Sequence, residues 1–148
     1  MPLLFLSPLH RATRQIGIFL AGHVSELGLQ NPEGHLLSFL RSYSPAPISE
    51  LVRVFGFKKS TLTSLLDRLE RRGLVRREPH PHDRRSVLVH VTEEGRRLAD
   101  QVQRHVEDLE GRIRSEIDDE DLRGFQRVLE GIAKATEVEV RTKRKEPR

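Results

Sequence analysis

Apolar residues recur every three or four positions through most of the chain, the period of an α-helix with one buried face. The first such stretch spans residues 9–28 through Leu9, Ala12, Ile16, Phe19, Leu20, Val24 and Leu27, and it stops at Gly28 and Asn31-Pro32. Asn31 as cap, with Pro32 in the first helical position, predicts a second helix through Leu36, Leu37, Phe39 and Leu40 to about Ser42. Ser44-Pro45-Ala46-Pro47 reads as a rigid connector. Ser49 is the expected N-cap of a short helix, SELVRVF, which Gly56 ends. Residues 58–72, KKSTLTSLLDRLERR, place Leu62, Leu65, Leu66 and Leu69 on one stripe, with Gly73 as the stop. A short helix, a tight turn and a longer helix have helix-turn-helix spacing.

The period then falls to two. Leu74 to Glu78 reads as a strand and Ser86 to Val91 as its partner, with Val87, Val89 and Val91 on one side. The loop between them, PHPHDRR, holds Pro79 and Pro81, which donate nothing to a strand ladder and suit an exposed tip. Thr92-Glu93-Glu94-Gly95 opens a long helix through Leu98, Val102, Val106, Leu109, Ile113 and Ile117. Asp118, with Asp121 at the third helical position, caps a last helix through Leu122, Phe125, Leu129, Ile132 and Val140, and acidic residues there suit the helix dipole. The predicted class is therefore mainly α with a small β-hairpin. The expected divisions are a helical pair over 1–43, a helix-turn-helix with hairpin over 44–96, a helical pair over 97–140, and a basic, disordered tail over 141–148.

Composition narrows the function. With 148 residues, 36% hydrophobic, 32% charged and 5% aromatic, the chain is poor in apolar residues for a monomer and suits helical subunits that complete each other's core. It has no cysteine, which excludes disulfides, thiolate metal sites and thiol catalysis. No segment approaches the roughly 20 apolar residues of a membrane span. MPLLFL is short, lacks a basic start and is followed by His10, Arg11 and Arg14, so no signal peptide is expected and the location is expected to be cytoplasmic. Net charge is +4 but uneven: zero over 1–52, +6 over 53–97, −6 over 98–140, and +4 over 141–148. A basic middle on a neutral or acidic body is the footprint of a polyanion-binding protein, although charge runs alone are commonly just solvated surface.

On a helical wheel, Ser60, Ser64, Asp67, Arg68 and Arg71 lie opposite the leucines, flanked by Thr61 and Thr63. Short hydroxyl side chains let a helix approach base edges and phosphates, and arginine reaches guanine or the backbone. An ordinary surface helix often begins with Ser and Thr too. Lys58 and Lys59 are less ordinary, because cations at a helix N-terminus oppose its dipole and Lys58 offers no capping oxygen. A phosphate at that end would reverse the sign. At the hairpin tip, Arg84 and Arg85 suit a narrow minor groove, and Asp83 is expected to hold a guanidinium by a bidentate hydrogen bond, to close the turn locally, or to do both.

The joined pattern TLTSLLDRLERRGLVRRE and PHPHDRRSVLVHVTEEGRRL, with its surroundings over about residues 48–97, resembles the MarR family of winged helix-turn-helix transcriptional regulators. The flanking helices stand in the family's order. The resemblance implies a homodimer, built by the first and last two helices, that binds a palindromic double-stranded DNA operator, usually as a repressor. Recognition helix 58–72 would enter the major groove and wing 79–86 the minor groove. The family's wing arginine maps onto Arg85, with Asp83 in support and Arg84 on the backbone; its groove-facing residues map onto Lys59, Ser60, Thr61, Thr63 and Ser64, with Arg68 also assigned to DNA. Lys58 departs from the family, where a Ser or Asp cap is common. Relatives often sense small aromatic or lipophilic acids between the dimerisation helices and the winged region; Arg11, Arg14, Arg41 and His35 offer an anion partner there beside Phe19, Phe39 and Leu40, although such residues are more often plain surface and core.

Seven histidines invite other chemistry. His80 and His82 share the tip without a Cys or carboxylate cluster at ligand spacing. A metal site from His23, His35, His105 and Glu107 is an alternative, as is a winged-helix module for protein or RNA. No nucleophile elbow, phosphate-binding glycine loop or oxyanion hole is visible, so no enzyme, cofactor or catalytic residue is expected.

Overall fold

Hydrophobic periodicity becomes nine elements in the computed structural model, which describes residues 1–139: α1 (Leu6–Glu26), α2 (Asn31–Tyr43), β1 (Ala46–Pro47), α3 (Ile48–Phe55), α4 (Lys59–Arg71), β2 (Val75–Pro79), β3 (Val87–Val91), α5 (Glu93–Ser115) and α6 (Asp119–Thr136). The mainly helical class with a small antiparallel hairpin is as expected. The strand order β1-β3-β2 adds a third, two-residue strand, Ala46 opposite Val89 and Pro47 opposite Leu88, inside what reads as a connector. Two residues, one of them proline, carry no period to read. Val140 and the tail over 141–148 lie outside the described residues.

Caps explain the shifted boundaries. The capping residue of α2 is Gln30, whose backbone N–H donates to Glu33 Oε1 at 3.1 Å in a reciprocal box, so Asn31 is already helical. Asn31 Nδ2 instead donates to the Gly17 carbonyl of α1 at 3.0 Å. Ser49 likewise does not cap α3; Pro47 does, because β1 runs directly into the helix. Asp118 and Asp121 cap α6 reciprocally, as expected.

The core lies where α2, α3, α4, the sheet and the start of α5 meet. Leu36, Leu37, Phe39, Leu40, Leu51, Leu62, Leu66, Leu69, Val75, Val89 and Ala99 are buried there. Each fully buried leucine contributes about 1.5–3 kcal/mol of transfer free energy, enough for the stripe on α4 to set which face is left outside. Gly95 marks the tightest approach: a Cβ there would stand 2.0 Å from the Leu74 carbonyl oxygen. Packing fades beyond this core. Only Val24 of α1 is buried, and no residue of α6 is. Leu4, Phe5, Leu6, Ile16, Ile18, Ile113, Phe125 and Leu129 are exposed.

Candidate nucleic-acid interface

α3, a turn at Gly56 (φ 68°) and α4 present the first half of α4 outward. Lys58, Lys59, Ser60, Thr61, Thr63 and Ser64 are all exposed, while Leu62 between them, and Leu65, Leu66 and Leu69 beyond, are buried. Lys58 is the N-cap residue in extended conformation and makes no side-chain cap hydrogen bond. The Thr63 hydroxyl donates to the Lys59 carbonyl at 2.9 Å and that of Ser64 to the Ser60 carbonyl at 3.1 Å. With the protons turned inward, both oxygens present acceptor lone pairs outward. Such acceptors match the exocyclic amines of cytosine and adenine in a major groove.

The hairpin pairs Val75 with Val91, Arg77 with Val89 and Pro79 with Val87. At its tip the Ser86 N–H donates to the Asp83 carbonyl (3.1 Å) and the His82 N–H to His80 Nδ1 (3.1 Å). Asp83 Oδ1 accepts from the Arg85 backbone N–H at 2.9 Å. Of the two roles expected for Asp83, the local one is present: the carboxylate folds back two residues as in an Asx-turn and, among the described residues, makes no ion pair with a guanidinium. Arg84 and Arg85 are exposed and make no ion pair among the described residues. His80 and His82 meet edge to face.

Between this tip and the helix-turn-helix runs an open cleft of about 610 Å³. It is lined by Ser49, Arg53 and Val52 of α3, by Lys59, and by Asp83, Arg85 and Val87 of the wing. Arg53 escaped the sequence analysis because it sits inside an apolar helix; its place in the first helix of the motif, which crosses the backbone in such folds, is the signal that could have found it. Arg53, Lys59 and Arg85 thus face one channel.

Arg68, assigned to DNA from its place on the helical wheel, has neighbours within the protein: its Nη2 donates to Gln30 Oε1 at 3.2 Å and its Nε stands 3.9 Å from the buried Glu33 carboxylate. Wheel position places a side chain on a face without showing which neighbouring loop covers that face. Asp67 has a partner as well: Arg77 of β2 donates through Nη2 to Asp67 and through Nε to Glu70, both at 2.6 Å. Partial burial opposes the Arg77 charge, but its hydrogen bonds to both carboxylates outweigh it and raise its pKa. On the far strand face, His90 Nε2 donates to Glu78 Oε1 at 2.5 Å, and with Arg76 it holds the Glu78 carboxyl below its ordinary value.

The histidine alternative is not assembled. His23 stacks on His105 at 4.4 Å between ring centroids, and Glu107 accepts from Gln103. Among the described residues no three His, Asp or Glu side chains stand within reach of one metal ion. A separate cavity of about 230 Å³ lies between α1, α2, α3 and α5, lined chiefly by Leu20, Val24, His35, Phe39, Phe55 and Val106. His35 and Phe39 line it. Arg11, Arg14, Arg41, Phe19 and Leu40 do not: Arg41 is bonded to Asp100 of α5, and Leu40 is fully buried in the core. The cavity's lining also includes Asn31, whose Oδ1 is buried without a hydrogen-bond partner among the described residues.

Residues 29–87 match the MarR family. The chain is 39% identical over 111 residues to the HTH-type transcriptional regulator PecS of Dickeya dadantii, covering 72% of this chain and 66% of that protein. It is 36% identical over 80 residues to the uncharacterized HTH-type transcriptional regulator YfiV of Bacillus subtilis, covering 52% and 50%. The chain therefore spans about half to two thirds of the length of these relatives. Its fold superposes on a mutant MarR from E. coli in complex with operator DNA, with TM-score 0.74 and 25% identity over 85% of this chain and 91% of that one. No described helix is long and apolar enough to cross a membrane. Motif order, wing and helix-turn-helix agree with these matches, and the chain belongs to the MarR family.

Proposed function

We propose that the protein is a cytoplasmic, dimeric, sequence-specific regulator of transcription that binds a palindromic operator as a repressor and is released by a small molecule. The observation that carries this is the pairing of an uncapped, hydroxyl-lined first half of α4 with a cleft in which Arg53, Lys59 and Arg85 converge. The cleft suits a phosphate backbone, with Lys58 and Lys59 supplying counter-charge at the helix start. Ser60, Thr61, Thr63 and Ser64 enter the major groove. Arg85 at the wing tip enters the minor groove, held by Asp83 through its backbone amide, with Arg84 on a phosphate.

Exposed apolar side chains on α1, the end of α5 and α6 support assembly of two copies through residues 1–43 and 97–140, leaving 44–96 as the DNA-binding unit. For the effector, the cavity beside Phe39 supports an aromatic or lipophilic ligand. A carboxylate would meet His35 as the ionisable side chain of its lining, while Asn31 Oδ1 supports a ligand that also carries an N–H or O–H donor.

The test is a gel shift on the promoter beside the protein's own gene, with random duplex, single-stranded RNA and rising salt as competitors. Specific retention of the promoter, with a log-log salt slope of several units, is expected. Equal affinity for random duplex, or preference for RNA, would overturn the proposal.

A further inference from the structure

Two arginines one turn apart, Arg68 on α4 and Arg72 at its C-cap, grip the turn between α1 and α2. Arg72 donates through Nη1 to the Gly28 carbonyl at 2.6 Å and through Nη2 to the Leu27 carbonyl at 3.2 Å. These carbonyls close the C-terminal end of α1, where the helix dipole favours a cation. Arg68 reaches the next residues, Gln30 and Glu33, at the start of α2. Gly28 has φ 72°, and a Cβ there would stand 3.4 Å from Arg72 Nη2, so the turn has both the backbone form and the room that the guanidinium occupies.

α4 is thereby divided along its length. Its later turns are tied to the α1–α2 turn by Arg68 and Arg72 and, through Asp67 and Glu70, to the wing by Arg77. Ser60, Thr61, Thr63 and Ser64 make no hydrogen bond outside α4 among the described residues. Resting on the proposal of a dimer on a palindromic operator, the geometry points to Arg68 and Arg72 as positioning residues. They fix the distance and angle of the recognition helix relative to α1, and so set the half-site spacing that the dimer accepts. α1 belongs to the dimer frame; Arg72 bonds the carbonyls just past its end and Arg68 bonds the start of α2 that follows. Without them the core leucines of α4 and its tie to Arg77 remain, but its position relative to α1 is less closely fixed, and discrimination between spacings falls. Base preference within a half-site, set by the first turns of the helix, is retained. A plain phosphate-contact role predicts the opposite: uniform weakening at every spacing and a smaller salt slope.

The test uses duplexes selected from a random pool by the full-length wild-type protein, then remade with the central spacer lengthened or shortened by one and two base pairs. The wild type is expected to discriminate against altered spacers by about tenfold or more, the size of a mismatched-site penalty. In Arg68→Ala/Arg72→Ala that discrimination falls to within about threefold, with half-site base preference and dimerisation retained. Arg72→Ala alone, at an exposed side chain, serves if the double variant does not fold, and shows a partial loss. Undiminished spacing discrimination in folded variants would overturn the inference and leave the operator proposal standing. Absence of any spacing preference in the wild type would overturn the operator proposal and this inference with it.

Discussion

Arg77→Met removes the guanidinium that ties the wing to the recognition helix while keeping most of the aliphatic stem. The lost bonds are Nε to Glu70 and Nη2 to Asp67, both 2.6 Å. Fully desolvated, hydrogen bonds to charged partners contribute about 1.5–3 kcal/mol each. The Glu70 and Asp67 side chains are 37% and 47% exposed, however, and solvent screening brings each bond to about 0.5–1 kcal/mol. The two carboxylates, one turn apart on α4, would then repel by a few tenths of a kcal/mol. The sum is a loss of about 1–2 kcal/mol, or about 2–8 °C in Tm for a chain of this size. Thermal unfolding followed by circular dichroism, at fixed protomer concentration and at low and high salt, measures it. The drop should shrink in concentrated salt, and a cycle with Glu70→Gln should give a coupling near 0.5–1 kcal/mol. Operator affinity should fall too, although Arg77 is turned toward α4 and not toward the groove. An unchanged Tm with no coupling would refute the idea that this bridge holds wing and helix as one unit.

Three further outcomes are expected. Arg85→Ala should weaken operator binding severalfold while leaving the dimer intact; unchanged affinity in a filter-binding titration would remove the wing from the mechanism. Gly95→Ala drives a Cβ to 2.0 Å from the Leu74 carbonyl oxygen and should destabilise by about 1–3 kcal/mol or more in urea unfolding, whereas a neutral result would mean that α5 shifts freely against the hairpin. Glu78 has a folded pKa below its ordinary 4.5, so its contribution is present above that value and is lost as pH falls through the lowered one. Glu78→Gln should therefore flatten part of the acid limb of Tm against pH, and parallel curves for the two proteins would contradict the assignment.

Most of the fold was legible because burial imposes a period. The α4 leucines, the Gly56 and Gly73 stops and the Asp118–Asp121 cap each follow from local chemistry, and all are present. Caps that depend on a neighbour were not legible. Asn31 reads as a cap, yet its amide is drawn to Gly17, fourteen residues away, and Gln30 takes over. The site divides in the same way. Exposure of Lys58 to Ser64 follows from the leucine stripe alone, whereas the tie of Arg68 to Gln30 and the place of Arg53 in the cleft depend on how separate elements pack. For the same reason Arg11, Arg14 and Arg41, legible as cations near phenylalanines, fall away from the cavity.

Hydroxyl-radical footprinting on a promoter fragment bound by the full-length protein tests the central claim most directly. Two symmetric protected segments with centres separated by about one helical turn or a multiple, roughly 10–10.5 base pairs, are predicted. Outer minor-groove protections should flank them and disappear in Arg85→Ala. A single asymmetric footprint, or even protection along the whole fragment, would contradict a dimer that reads two half-sites with α4 and the wing.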